Sequence, residues 1–254
     1  MVQILEQPAQ RKRPNLLLHC GANHVKRRAV ELVQTPPATS TWTPIPHVQL
    51  IKQVEKALST NRFTVGTFAH SLSHDGNRYF GLMEISNGEN PEDYCWVLGL
   101  RNSHDKSFPA GVVAGASVFV CDNLSFSGEV KLARKHTRFI NRDLPALVHT
   151  GITELISKWH DQQTRFDAYK DKRVKDDVAH DLVIRAVDVG VCSNRLIPSV
   201  LHQWREPGHR EFQQRSLWSL FNAFTAALKD GSLGELPKRT EALHTLLDRH
   251  VGLN

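Results

Sequence analysis

The apolar residues of this chain change their spacing near residue 140, and that change constrains the fold more than any other feature. Before it, short runs rich in β-branched, aromatic and small residues are separated by turn chemistry. "FTVGTFAHSLS" and "RYFGLMEIS" flank Asp75-Gly76, a dipeptide suited to a tight turn with positive φ, and read as a β-hairpin. "YCWVLGLRNS", "FPAGVVAGASVFVCDN" and "LSFSGEVKLARK" follow as three more strands. The second of these is dense in Val, Ala and Gly, which suits a buried strand with close backbone neighbours.

From Asn141 the spacing is helical. Asp143 precedes Pro145, a residue pre-organised for a first helical turn, and Val148, Ile152, Leu155, Ile156 and Trp159 then form a stripe. The charged run "RFDAYKDKRVKDD" reads as a solvated continuation. "VAHDLVIRAVDVGVCS", "IPSVLHQWRE", "RSLWSLFNAFTAALKD" and "KRTEALHTLLDRHVG" read as further helices. Strands first and helices second imply an α+β fold: an antiparallel sheet of about five strands, covered on one side by a helical second half.

The chain has 254 residues. They divide into a basic, weakly structured tail over 1–40 and a single α+β domain over 41–254, strand-rich at 62–135 and helical at 141–250. The tail contains "QPAQRKRP" and "QTPPATSTWTP", with "NLLLHCGANHV" between them as a short strand or docking segment. "PHVQLIKQVEKALST" opens the domain as an amphipathic helix, with Val48, Ile51, Val54 and Leu58 on one stripe.

No apolar run approaches the roughly 20 residues that a membrane span needs, and the N-terminus lacks the pattern of a secretory signal. A cytoplasmic protein without a membrane partner is expected. The four cysteines show no C-x-x-C pairing, so reduced thiols are expected, and Cys121 in an apolar strand reads as a small buried residue. His19, Cys20 and His24 are metal-capable types at a spacing that matches no standard zinc pattern.

The formal charge of +6 is clustered. Arg11, Lys12, Arg13, Lys26, Arg27 and Arg28 lie in the tail. Lys131, Arg134, Lys135, Arg138 and Arg142 cluster at the end of the strand region and just beyond it, against Asp143. Clustered charge points to a polyanion partner, and its bland alternative is a solvated face plus a basic tail. These last five cations are the candidate phosphate contacts. Among the aromatics Phe80, Trp96, Phe108, Phe119 and Phe126, some could stack on bases, while alternation places most in a core. Leu217, Trp218, Leu220, Phe221 and Phe224 crowd one helix. They are core, or alternatively a self-association surface that would make a homo-oligomer.

"RNSHDKS" places Ser103, His104 and Asp105 in a row. Adjacent strand residues point to opposite faces, so this is poor ground for a triad. If the strand runs that far, Arg101, Ser103 and Asp105 share one face, and Asn102 and His104 the other. The same Ser-His-Asp triplet occurs at 73–75. Metal-dependent phosphoester chemistry is the catalytic alternative. It would use His104 and Asp105 with Asp75 or Asp122, supported by His74 and Glu129, if these met at one end of the sheet. Turn residues that bond nearby backbone are the plain reading of the same positions.

At "LGLRNSHDKSFPAGVVAGASVFVCDNLSFSGE" and at the W-x-L-x-N-A-x-T pattern of "SLWSLFNAFT", the chain resembles a bacterial family, the domain of unknown function numbered 932. The resemblance covers roughly residues 40–235. It implies a phage- or plasmid-type protein and singles out a polar pattern, Arg101, Asn102, Ser103, His104, Asp105, Cys121 and Asn123, without roles. Helix, hairpin strands and helix is also the order of single-strand annealing proteins, an architectural analogy only. The leading expectation is a binding protein for single-stranded DNA, in recombination or replication, with no cofactor and no catalytic residue. The alternatives are the metal-dependent enzyme and a module that binds or inhibits a host protein.

Overall fold

The computed structural model describes residues 23–88, 94–118, 124–229 and 235–253. Among them six strands form one sheet: β1 (Asn23–Val25), β2 (Thr64–Ser73), β3 (Arg78–Ser86), β4 (Tyr94–Ser103), β5 (Ala110–Val118) and β6 (Leu124–Arg134). They lie side by side in chain order, and every neighbouring pair is antiparallel. With helices filling the second half, the architecture is α+β.

The sixth strand, β1, lies within the expected tail, at the end of "NLLLHCGANHV", the stretch read as a short strand or docking segment. It pairs with β2 through Asn23, His24 and Val25. The one-turn helix α1 (Arg27–Glu31) follows and buries Val30. Residues 23–31 are therefore built onto the sheet edge, and only 1–22 of the expected tail lie outside the described residues. Part of the tail's positive charge is also used internally, since Arg27 pairs with Glu55 and with Glu31.

Period two decides which side of the sheet meets the helices. The register Tyr79↔Asn102, Gly81↔Leu100, Met83↔Leu98 and Ile85↔Trp96 sets these side chains on one face. Tyr94 and Trp96 on that face touch Phe166 of α3 (Ile140–Asp171), and Tyr94 also meets Trp218 of α6 (Leu217–Ala227). Phe166 lies 5.7 Å from Phe221 and 5.9 Å from His244 of α7 (Leu236–Val251), so one aromatic cluster joins the sheet to three helices. All five residues weighed as a self-association surface, Leu217, Trp218, Leu220, Phe221 and Phe224, are buried within the chain.

Two helical expectations differ from the structure. The helix α3 begins at Ile140, so Pro145 sits inside it rather than in its first turn. The charged run 165–177 is not a single solvated helix. Phe166 and Tyr169 are buried, the helix ends at Asp171, and α4 begins at Asp176 (Asp176–Asp188). Between them Val174 N–H donates to Arg215 O and Leu217 N–H to Lys172 O, which ties the link to the start of α6. The Ser216 hydroxyl accepts from Ser219 N–H at 3.2 Å and caps α6. The helix α5 (Ile197–Arg205) completes this half.

At the opposite end of the sheet lies α2 (His47–Thr60). Ile51, Val54 and Leu58 are buried on the expected stripe, joined by His47, Leu50 and Ala57, while Val48 is only half-buried. Asn61 Nδ2 donates to Ala57 O at 2.8 Å, and Arg62 at φ 61° ends the helix. The N-terminus of α2 thereby comes to rest over the ends of β3 and β4.

Candidate nucleic-acid interface

The strand β4 stops at Ser103, and the side chains of "RNSHD" part to two faces. Asn102 and His104 turn inward, toward the start of α2. Asn102 Nδ2 donates to Ile45 O at 3.0 Å and to His47 Nδ1 at 2.8 Å. His47 Nε2 faces Gly76 O at 2.9 Å and His104 Nε2 faces Ile45 O at 2.8 Å. A carbonyl only accepts, so both histidines carry their proton on Nε2. On the other face Arg101 lies over the Phe108 ring, and the Ser103 hydroxyl donates to Phe108 O at 2.7 Å. Asp105 is exposed, accepting from Arg78 Nε at 2.6 Å and from Ser107 N–H at 3.0 Å.

These partners set the charges. Burial pushes His47 down to about 4, with the neighbouring His104 adding to the shift. Burial lowers His104 as well, against its bond to Ile45 O. Burial raises Asp105, but the Ser107 and Arg78 donors outweigh it and hold the carboxyl at about 2. The inner face is thus neutral and the outer carboxylate ionised at neutral pH.

His104 is buried, whereas Asp105 and Asp75 are exposed, and Asp75 lies in a four-residue turn with His74, Asp75 and Gly76 all at positive φ. Among the described residues no three His, Cys, Asp or Glu side chains are grouped as metal ligands. Cys121, Asp122 and Asn123 lie outside the described residues, as does the Glu129 side chain. The two Ser-His-Asp triplets do lie together at one end of the sheet. Arg78, the partner of Ser73 across β2–β3, is also the partner of Ser103 across β3–β4, and Asn77 O accepts from His104 N–H at 2.7 Å.

The basic segment lies where β6 passes into α3. Lys131 pairs with Val113 in the sheet, and its side chain is outside the described residues. Arg134 Nη2 and Arg142 Nε both donate to Asp143, at 2.6 and 2.8 Å, and together they lower that carboxyl, Arg142 most. Lys135 and Arg138 are exposed and form no ion pair among the described residues. From 134 to 143 there are four cations against the one carboxylate, Asp143. They stand at the N-terminal end of a 32-residue helix, whose dipole adds about half a positive charge.

The aromatic residue of this surface is one that the sequence reading did not name. Phe139 is 41% exposed, and the guanidinium carbons of Arg138 and Arg142 each lie 4.5 Å from its ring centroid. Its signal in the sequence is the interleaving of "RKHTRFINR", where Arg138 and Arg142 flank a lone aromatic. The aromatics that were named behave differently. Trp96 is buried, Phe80 and Phe108 meet at 5.3 Å with their rings tilted by 44°, and Phe119 and the Phe126 side chain lie outside the described residues.

His136, in the link before α3, joins the two regions. It is buried at 6% exposure, and neither ring nitrogen has a hydrogen-bond partner among the described residues. Burial first, and the nearby His104 second, push it down to about 4. Its ring lies nearly parallel to that of Trp42, at 14° and 6.2 Å. The buried histidines are thus linked to the basic segment through His136, which lies between Lys135 and Arg138 and close to His104.

Compared with known proteins, the chain matches no family model, and no curated protein and no solved structure is significantly similar to it.

Proposed function

We propose that the protein binds single-stranded nucleic acid, DNA in the first place, through the surface formed by residues 134–142. The observation that carries this reading is Phe139, an exposed ring flanked by two guanidinium groups on a basic segment. An exposed aromatic among cations is what an unpaired base and its phosphates require. The base stacks on the ring, while Lys135, Arg138 and Arg142 lie within reach of the backbone on either side. A duplex keeps its bases stacked on one another and offers this ring little. The phage- or plasmid-type setting that the sequence resembles gives such a protein a place in recombination or replication.

Binding without base-specific readout is expected, because phosphate contacts and stacking are largely indifferent to sequence. The test is fluorescence anisotropy with a labelled oligothymidylate and with a duplex of the same length. The single strand should bind more tightly at low salt, and Phe139→Ala should weaken it by about 5- to 150-fold, the cost of one lost stacking contact. Equal affinity for both substrates together with an unchanged Phe139→Ala would overturn the reading.

A further inference from the structure

Trp42 is the one tryptophan with a described side chain that takes no part in the apolar core. Trp96, Trp204 and Trp218 are buried, whereas Trp42 is only half-buried and lies outside the core cluster. Its neighbours are polar. Thr39 N–H donates to Trp42 O at 2.8 Å, and Trp42 N–H donates to the Thr39 hydroxyl at 3.1 Å, which closes a tight turn around it. Thr43 N–H donates to His136 O at 3.1 Å and fastens this turn to the link between β6 and α3. The indole lies alongside His136, and Lys106 Nζ stands 4.9 Å from the Trp42 ring centroid.

Lys106 is held there by its loop. It adopts φ 64°, a left-handed conformation that disfavours a non-glycine residue. The Asp105 carboxylate, fixed by Arg78 and Ser107 N–H, secures the residue before it. An exposed ammonium is thus placed against an aromatic ring that packing does not require.

His136 and Phe139 are three residues apart, so their Cα atoms lie within about 11 Å even in an extended chain. The Trp42 turn and the Phe139 ring therefore flank the same short link, a few nucleotides apart. Lys106 stands on one side of it, and Lys135 and Arg138 lie on the link itself.

We propose that Trp42 and Lys106 form a second base-stacking platform of the same interface, so that one strand crosses the 135–139 link with a base on Trp42 and another on Phe139. This inference rests on the binding role proposed for Phe139. Trp42 offers an indole edge and face to a base, and Lys106 shifts from the ring to the neighbouring phosphate as the base arrives. With two platforms the interface favours a strand of several nucleotides over a mononucleotide.

The experiment is a titration of the full chain with unlabelled oligothymidylate, followed by tryptophan emission, alongside anisotropy with the labelled strand. Trp42→Phe and Trp42→Ala are compared with the unaltered chain, with thermal melting as a check on folding. Quenching should occur in the unaltered chain and be lost in Trp42→Phe, which still binds. Trp42→Ala should weaken binding by about 5- to 150-fold, and Trp42→Phe should restore most of it. Binding that depends on Phe139, with the same quenching in Trp42→Phe and the same affinity in Trp42→Ala, overturns the second platform and leaves the first. Absence of binding at low salt removes both.

Discussion

The ring of His47 lies flat against the ring of His104, with 4.0 Å between centroids and 7° between planes. Two neutral imidazoles stack well at that distance, and two imidazolium ions repel each other there. His47 is held at about 4, His136 at about 4, and His104 is lowered, with burial the leading cause in each. The histidine cluster is a stable element only while it stays uncharged.

The pH dependence follows from the sign of these shifts. In the unfolded chain a histidine takes up a proton near pH 6.5, whereas His47 and His136 in the folded chain resist until about 4. Their contribution is present in full above pH 6.5 and is withdrawn as pH falls from there to about 4, by up to about 3 kcal/mol for each. Thermal melting from pH 7.5 to 4 should show Tm falling through that window, and His136→Phe should flatten the fall. Asp105, held at about 2, adds a separate loss at lower pH, below the ordinary carboxyl range. A Tm that does not change between pH 7 and 4.5 would mean that the cluster is not buried and neutral.

Asn102 is the amide that fixes His47 and the chain before α2. Asn102→Ala leaves Ile45 O with one donor fewer and His47 Nδ1 with none, both in the buried interior. The expected cost is about 1–3 kcal/mol, seen as a lower urea midpoint. Oligonucleotide affinity, measured well below the melting temperature, should change by less than stability does.

Gly81 is required by the side chain two residues before it. A methyl group at this position would lie 2.2 Å from Tyr79 Oη and 2.9 Å from Tyr79 Cζ. Gly81→Ala therefore drives the Tyr79 ring off its site and breaks its hydrogen bond to His70 Nδ1, now 2.9 Å. Overpacking of this kind costs about 1–3 kcal/mol, and the lost bond adds to it. Gly208→Ala, where nothing lies within 4 Å, should leave Tm close to that of the unaltered chain.

Much of this fold is written in local spacing. "YCWVLGLRNS" is β4 from end to end, and Val148, Ile152 and Leu155 are buried as their helical spacing requires. The parting of Asn102 and His104 from Ser103 and Asp105 follows from strand alternation alone. What the spacing could not carry is long-range. A short strand is one reading of "NLLLHCGANHV", but nothing near Asn23–Val25 announces that β2 will accept it as a neighbour. Arg134 looks as available as Lys135 and Arg138 until folding brings it to Asp143, nine positions on. Trp42 and Lys106 are 64 positions apart in the chain, and only the fold places one over the other.

Lys135 and Arg138 test the binding role most directly, because their side chains are exposed and form no ion pair among the described residues. The measurement is the salt dependence of oligothymidylate binding for the unaltered chain and for Lys135→Glu/Arg138→Glu. The unaltered chain should bind at low salt, with log K falling linearly against log salt. The double variant should lose most of its affinity and reduce that slope by about 1.4, the value for two phosphate contacts on a single strand, at unchanged Tm. No binding by the unaltered chain, or the same slope in the variant, would contradict the assignment.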